Sequence, residues 1–247
     1  MKQPLVPSLI ALAAALAGNC LAVTPVSEDF SADSLDPSRW YQTRYGHGVL
    51  RQAGGHLNYV TRTTPTKNDY AVVELLSSQP GYDENWEVVV DLTDKTDLGY
   101  DAGCGIMIVN SQERNDYLFL DFYGKGMMKN GKLVAGGVSA GVLVDGEHPK
   151  NSRFTKNPKV SKGAVRFRFN ATTKLMTLSV SPTQKAEGYT WLKIGTFSPT
   201  GKGGDVNGNW KMKDGTSRFA IQLYGFANAK EITAGKVWLD NLSVAAP

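Results

Sequence analysis

The sequence predicts an all-β sandwich of two packed antiparallel sheets. Apolar and polar residues alternate with a period of two in many short segments. Clusters of Gly, Asn, Asp and Pro separate those segments, and beyond the N-terminus no stretch repeats apolar residues at helical spacing. With 26 Gly among 247 residues, 41% hydrophobic and 20% charged side chains, the chain is neither disordered nor collagen-like. The length suits a single large sandwich, and no linker or internal repeat divides it.

Residues 1–22 read as a secretory signal. Lys2 supplies the basic start, residues 4–18 are apolar and rich in Leu and Ala, and Cys20-Leu21-Ala22 fits cleavage before Val23. The apolar run is too short for a spanning helix, so no transmembrane segment is expected. A lipoprotein signal with Cys20 as the lipidated residue is the rival reading, although Asn19 stands where that signal wants a small residue. Residues 23–247 then form the mature domain, secreted or periplasmic. Cleavage would leave Cys104 as the one cysteine, excluding an intrachain disulfide. Its place beside Ile106 and Ile108 suits a buried, inert thiol.

The expected strands are 48–51, 56–62, 70–77, 86–93, 104–110, 116–123, 132–135, 141–144, 164–170, 174–181, 190–197, 217–226 and 235–244. In the first long one, Trp86, Val88, Val90 and Leu92 alternate with Glu87, Val89 and Asp91. Val165, Phe167 and Phe169 alternate with Arg166 and Arg168, and Phe219, Ile221 and Leu223 with Gln222 and Tyr224. Alternation this frequent means two sheets sharing a core, each with its other face wetted. The segments around residues 110–116 and 170–174 read as hairpin connections.

In residues 116–123, Leu118, Leu120 and Phe122 form the natural core face. Tyr117, Phe119, Asp121 and Tyr123 would then be displayed on the other side, with Gln222 and Tyr224 beside them. Aromatic rings with a carboxylate suit stacking on sugar rings and hydrogen bonding to hydroxyls. If the two faces were reversed, the aromatic set would be core instead.

Other patterns carry less. Gly137-Val138-Ser139-Ala140-Gly141 matches the serine-hydrolase elbow, but no helix follows it, so it reads as a Gly-rich loop. The run from Gly126 to Leu133 misses the phosphate-loop pattern at its last position. His47, His56 and His148 show no close pairing, which argues against a transition-metal site. Asp91, Asp94, Asp97 and Asp101 read as a solvated acidic turn. Charge is uneven: residues 23–146 hold 10 Lys and Arg against 17 Asp and Glu, residues 147–247 hold 16 against 6. Either the halves interleave and pair their charges, or the basic half meets an anionic polysaccharide. Nucleic acid is not expected for an exported protein.

Two end segments carry a family resemblance. Glu28-Asp29-Phe30-Ser31-Ala32-Asp33-Ser34-Leu35-Asp36-Pro37-Ser38-Arg39-Trp40 resembles the opening of concanavalin A-like glucanases and lectins. Val237-Trp238-Leu239-Asp240-Asn241-Leu242-Ser243-Val244 resembles their closing strand. The resemblance implies a jelly roll of two curved antiparallel sheets that binds glycans across the concave one. It also implies a structural calcium, with Asp29 and Asp240 among the ligands, and no organic cofactor. In laminarinase-like members the catalytic strand reads Glu-Ile-Asp-Ile-Met-Glu. The matching segment here places Asp116 and Asp121 at the outer acids and Leu118 at the middle one. Retaining hydrolysis needs two carboxylates about 5–5.5 Å apart. Asp116 and Asp121 would face opposite sides of a regular strand, so they are weak catalytic candidates.

These readings together favour a secreted protein that binds a polysaccharide through Tyr117, Asp121, Tyr123, Gln222 and Tyr224. The alternatives are a polysaccharide-degrading enzyme, either a glycoside hydrolase or a lyase of uronic-acid polymers, and a non-catalytic envelope or matrix protein. A lyase would use Arg or Lys against the sugar carboxylate and Tyr or His to move the proton.

Overall fold

The computed structural model describes residues 23–62, 64–127 and 131–247. The predicted signal, with Cys20, lies outside the described residues, as do residues 128–130 of the rejected phosphate-loop match. Strands are numbered in chain order. One sheet holds, side by side, β2 (Trp40–Tyr45), β5 (Asp69–Leu75), β14 (Phe219–Ala227), β7 (Ala102–Asn110), β8 (Tyr117–Met127) and β9 (Leu133–Leu143). The other holds β13 (Val206–Asn207), β12 (Leu192–Ser198), β11 (Leu175–Ser181), β10 (Lys162–Asn170), β6 (Trp86–Asp94), β15 (Val237–Ala245), β4 (His56–Val60) and β3 (Val49–Ala53). A ninth strand, β1 (Val26–Glu28), also pairs with β15. Every described pairing is antiparallel except β12 with β13. The two-sheet, all-β architecture expected from the alternation is therefore present.

The core lies between the sheets and follows the expected faces. Trp86, Val88, Val90 and Leu92 of β6 are buried against Phe219, Ile221 and Leu223 of β14 and Leu118, Leu120 and Phe122 of β8. Trp86, Phe169 and Phe219 form its aromatic centre, with ring centroids 5.1–5.7 Å apart. Cys104 is buried and free. Gly225 on β14 has no side chain because Tyr59 fills the space: an added Cβ would stand 2.3 Å from Cγ of that ring. Among the described residues the helical segments are two short 3-10 turns, and none is long and apolar enough to cross a membrane.

Four sequence expectations need correction. The edge strands β1, β2 and β13 were not anticipated; β2 buries only Trp40 fully, so its polar and exposed residues give no core stripe. The segments expected as strands at 132–135 and 141–144 are one continuous strand, β9, and Gly137–Gly141 lies within it rather than in a loop. Its glycines accommodate neighbours on one face. A Cβ at Gly137 would meet the Tyr123 hydroxyl at 2.6 Å, and one at Gly141 would meet the Phe119 ring at 3.0 Å. Finally, Asp91 and Asp94 are not solvated but buried within β6.

The charge asymmetry resolves in part by interleaving. Arg166 and Arg168 of β10 lie beside Glu87 of β6 at 3.8 and 2.8 Å, and Arg218 meets Glu84 at 2.9 Å. Lys150, Arg153, Lys156 and Lys159, between β9 and β10, form no ion pair among the described residues.

Candidate functional site

Among the described residues no second sheet covers the outer face of the six-stranded sheet. Because Leu118, Leu120 and Phe122 are committed to the core, Tyr117, Phe119, Asp121 and Tyr123 point outward, as do Gln222 and Tyr224 from β14. This outer face is hollowed into a groove of about 520 Å³. Tyr41, Thr43 and Tyr45 of β2 form one wall, and Tyr117 with Arg114 and Asn115 stands at the other. Tyr70, Val72, Glu74, Gln222, Met107 and Val109 line the floor. Tyr41 and Tyr45 are 60% and 62% exposed.

Polar groups in the groove are held in fixed orientation. Arg114 donates both Nη atoms to the Glu74 carboxylate, and Gln222 Nε2 donates to Glu74 Oε2 at 2.7 Å. Tyr70 packs between Tyr45 and Tyr224, with centroids 6.2 and 5.7 Å away. The result is an aromatic trough with a carboxylate, a guanidinium and an amide at its base. Such a surface accepts flat, hydroxyl-rich ligands.

The predicted site residues divide into two groups. Tyr117 and Gln222 line the groove. Asp121, Tyr123 and Tyr224 are on the expected face but are buried, so the exposed aromatic row expected over residues 117–123 does not exist. For Tyr123 the cause is residues 144–161, which fold back along β9: Val142 N donates to Ser152 O, and Phe154 N donates to Ala140 O. Asn157 of this segment clamps the Tyr123 hydroxyl, donating from Nδ2 at 2.7 Å, while Tyr100 bonds it from the other side at 2.9 Å. Tyr123 is a packed anchor, not a platform. Tyr224 is packed against Tyr70 and Phe226. Tyr41 and Tyr45, with the half-buried Tyr70, supply the accessible rings instead, and sequence reasoning missed them along with β2.

Gly105 lies between Tyr224 and Asp121 in register. Lacking a side chain there, β7 lets the Tyr224 hydroxyl reach across and donate to Asp121 Oδ2 at 2.9 Å. Burial pushes the Asp121 carboxyl up to about 7, against the opposing influence of the Tyr224 hydrogen bond and the Arg153 charge. Burial also raises Tyr224 well above the ordinary tyrosine range.

Asp121 is not paired with Asp116 or with Glu74. Asp116 sits before β8 with Oδ1 accepting from Asp145 N at 2.8 Å, five residues from Asp121. That is about 16 Å along a strand at about 3.3 Å per residue. Glu74 is three strands from Asp121 in the sheet order β5-β14-β7-β8, or about 14 Å at about 4.8 Å per strand. Both separations exceed the range of about 5 to 9.5 Å that retaining and inverting glycosidases use.

At the chain ends, Asp29 is exposed and turned onto its own chain, accepting from Ser31 N at 3.1 Å. Asp240 stands at a bulge in β15, where Asn241 adopts φ +50°. Its carboxylate accepts from Asn241 N at 2.7 Å and lies 3.3 Å from His56 Nδ1. Asn241 Nδ2 bridges Asp240 to Asp91 Oδ2, at 3.1 and 2.9 Å. Asp91 Oδ1 is buried without a well-formed hydrogen bond. Desolvation raises both Asp91 and Asp240, and the charge of Asp29 adds to the rise at Asp240. Among the described residues no group of three or more His, Cys, Asp or Glu side chains is arranged as a metal cage.

Two outcomes follow for the buried residues. Tyr123→Ala will lower stability by about 3 kcal/mol or more, read as a fall in the denaturation midpoint, because a buried ring and its clamp are lost together. The second concerns pH. Asp121 holds its proton more tightly folded than unfolded, so its effect is nil below about 4 and stability falls as pH rises toward about 7. Asp94, raised by burial to about 6, adds to the lower part of that window. Thermal melts should therefore drop between pH 4 and 7 in the native protein, whereas Asp121→Asn, which still accepts from Tyr224, flattens the upper part of the curve.

No protein-family model and no curated protein matches this sequence. Solved structures do. One, from work on endo-acting O-glycanases that human gut microbiota express to initiate mucin breakdown, aligns at a TM-score of 0.57 and 12% identity, covering 90% of this chain and 98% of that one. The exoplasmic/lumenal domain of VIP36 in its Ca2+/Man2-bound form aligns at 0.54 and 10% identity, covering 91% and 89%. A xylan β-1,4-xylosidase from Bacillus halodurans C-125 aligns at 0.53 and 15% identity; the match covers 89% of this chain but 38% of that one. At these identities the likeness is one of fold, and the fold is the concanavalin A-like jelly roll that the two end segments resemble.

Proposed function

We propose that this chain is an exported carbohydrate-binding protein whose site is the tyrosine-lined groove on the six-stranded sheet. The observation that supports this most is the pair of exposed rings, Tyr41 and Tyr45, standing beside the fixed Glu74–Arg114–Gln222 group, with Glu74 the register partner of Tyr41. Stacking on the tyrosines binds the apolar face of a sugar. The carboxylate, guanidinium and amide orient its hydroxyls. The VIP36 exoplasmic/lumenal domain in its Ca2+/Man2-bound form shares the fold, which supports a glycan role. Binding without hydrolysis is the reading favoured by the separation of Asp121 from both Asp116 and Glu74.

A glycan array followed by calorimetry tests this. Tyr45→Ala and Tyr41→Ala are expected to weaken binding about tenfold or more while moving stability by no more than about 0.5 kcal/mol, as surface changes usually do. Release of reducing ends or of unsaturated sugars would mark an enzyme instead. A protein that binds no glycan would leave a structural envelope or matrix role.

A calcium joining the chain ends belongs to the same proposal. The spare buried oxygen of Asp91, facing Asp240 across Asn241, suits a hard cation, and Asp29 stands close enough to influence Asp240 electrostatically. Calcium takes six to eight oxygens, so these carboxylates would supply only part of its shell. Bound to the folded state alone, the ion would stabilise it by about 2.7 kcal/mol at a hundredfold excess over Kd. Melting with chelator and with added calcium is the check; equal midpoints would remove the ion from the account.

A further inference from the structure

The segment between β9 and β10 brings an unpaired arginine onto the groove-bearing face. Ser152 and Phe154 hydrogen-bond to β9, and Arg153 between them bridges Gly141. Its guanidinium lies over the Phe119 ring, 5.1 Å from the centroid, and donates Nη1 to Ser139 Oγ at 3.3 Å. Nη2 lies 3.2 Å from His148 Nε2. Arginine only donates, so that nitrogen accepts, and His148 holds its proton on Nδ1, 3.2 Å from Val142 O. Gly141 makes the room: a Cβ there would stand 3.0 Å from both Arg153 Cδ and the Phe119 ring.

These contacts fix the guanidinium without neutralising it. No carboxylate pairs with Arg153 among the described residues, and Asp121, which feels its charge, already accepts from Tyr224. Of its five donor hydrogens, two are engaged and the rest remain for a ligand. Phe119 and Tyr117 are two residues apart on one face of β8, about 7 Å, so the guanidinium adjoins the groove wall. Lys150, Lys156 and Lys159 are exposed on the same segment.

We propose that Arg153, braced by Phe119, Ser139 and His148, is the subsite for an anionic group carried on the sugar, so that the groove takes a negatively charged glycan. This rests on the glycan reading of the groove. The shared chemistry is a planar or tetrahedral oxyanion received by a preset guanidinium fork, from a uronate carboxylate or a sulfate ester.

The experiment uses the mature protein and four probes: a uronic-acid oligosaccharide, its carboxyl-reduced neutral counterpart, a sulfated oligosaccharide and its desulfated form. Calorimetry at low and high salt is expected to show a charged probe binding at least tenfold tighter than its neutral twin, the scale of one charged hydrogen-bond partner. The preferred charged probe names the group. Salt should reduce that preference. Arg153→Gln should erase it while leaving neutral-sugar affinity unchanged, and Arg153→Lys should restore part of it through charge without the fork. His148→Gln, which touches Arg153 from the far side, should weaken charged probes without altering the melt by more than about 0.5 kcal/mol. Equal affinity for charged and neutral twins, with Tyr45→Ala still weakening binding, overturns the anionic subsite and leaves the groove as a glycan site. Binding that survives Tyr45→Ala and Arg153→Gln alike, or no binding by any probe, overturns both.

Discussion

The outer face of the six-stranded sheet depends on one commitment, the burial of Leu118, Leu120 and Phe122 between the sheets. A strand alternates with a period of two, so burying that set obliges Tyr117, Phe119, Asp121 and Tyr123 to the far side. The same holds for Gln222 and Tyr224 once Ile221 and Leu223 enter the core. A sheet face this apolar cannot be left bare. The chain covers one half of it with the segment after β9 and leaves the other half as the tyrosine groove. A small second cluster of Val72, Met107, Val109 and Phe119 continues beneath both halves, joining the covered and open parts.

Glycine placement decides where the cover can lie. Gly137 and Gly141 accept Tyr123, Phe119 and Arg153 against a strand that any side chain would have lifted away. Gly105 similarly lets Tyr224 cross β7 to Asp121. The polar groups of this face are therefore positioned by missing side chains as much as by present ones. Asp121 illustrates the cost of this arrangement: a carboxyl with one good donor and almost no water keeps its proton to near neutrality.

The fold was legible in the sequence because period-two alternation is a direct record of burial. β6, β8, β10 and β14 each show it along most of their length. β2 was not legible, since an edge strand that buries only Trp40 leaves no record of its partner. β9 was hidden for the opposite reason: its glycines, placed to admit rings from β8, read as a break. The direction in which Tyr123 and Tyr224 point followed from alternation, but their exposure did not. For Tyr123 exposure depends on Asn157, thirty-four residues along the chain, and for Tyr224 on packing with Tyr70 and Phe226; no local pattern announces either contact. The exposed rings of Tyr41 and Tyr45 were missed together with the strand that presents them. Arg153 was visible only as one residue of the basic half, in which position on a face cannot be read.

The pairing of β1 with β15 sets how the domain can be attached to anything else. Val26 lies opposite Val244, so the two ends of the described chain leave side by side, about 5 Å apart at their backbones. Both leave from the nine-stranded sheet, whereas the groove opens on the other. A tether at either end, or a partner domain fused at both, would hold the molecule at one point on its rim, where β1 and β15 end. Pulling on the two ends would open β1 from β15 one hydrogen bond at a time, like a zip, and on the N-terminal side would next load β2, the strand that walls the groove.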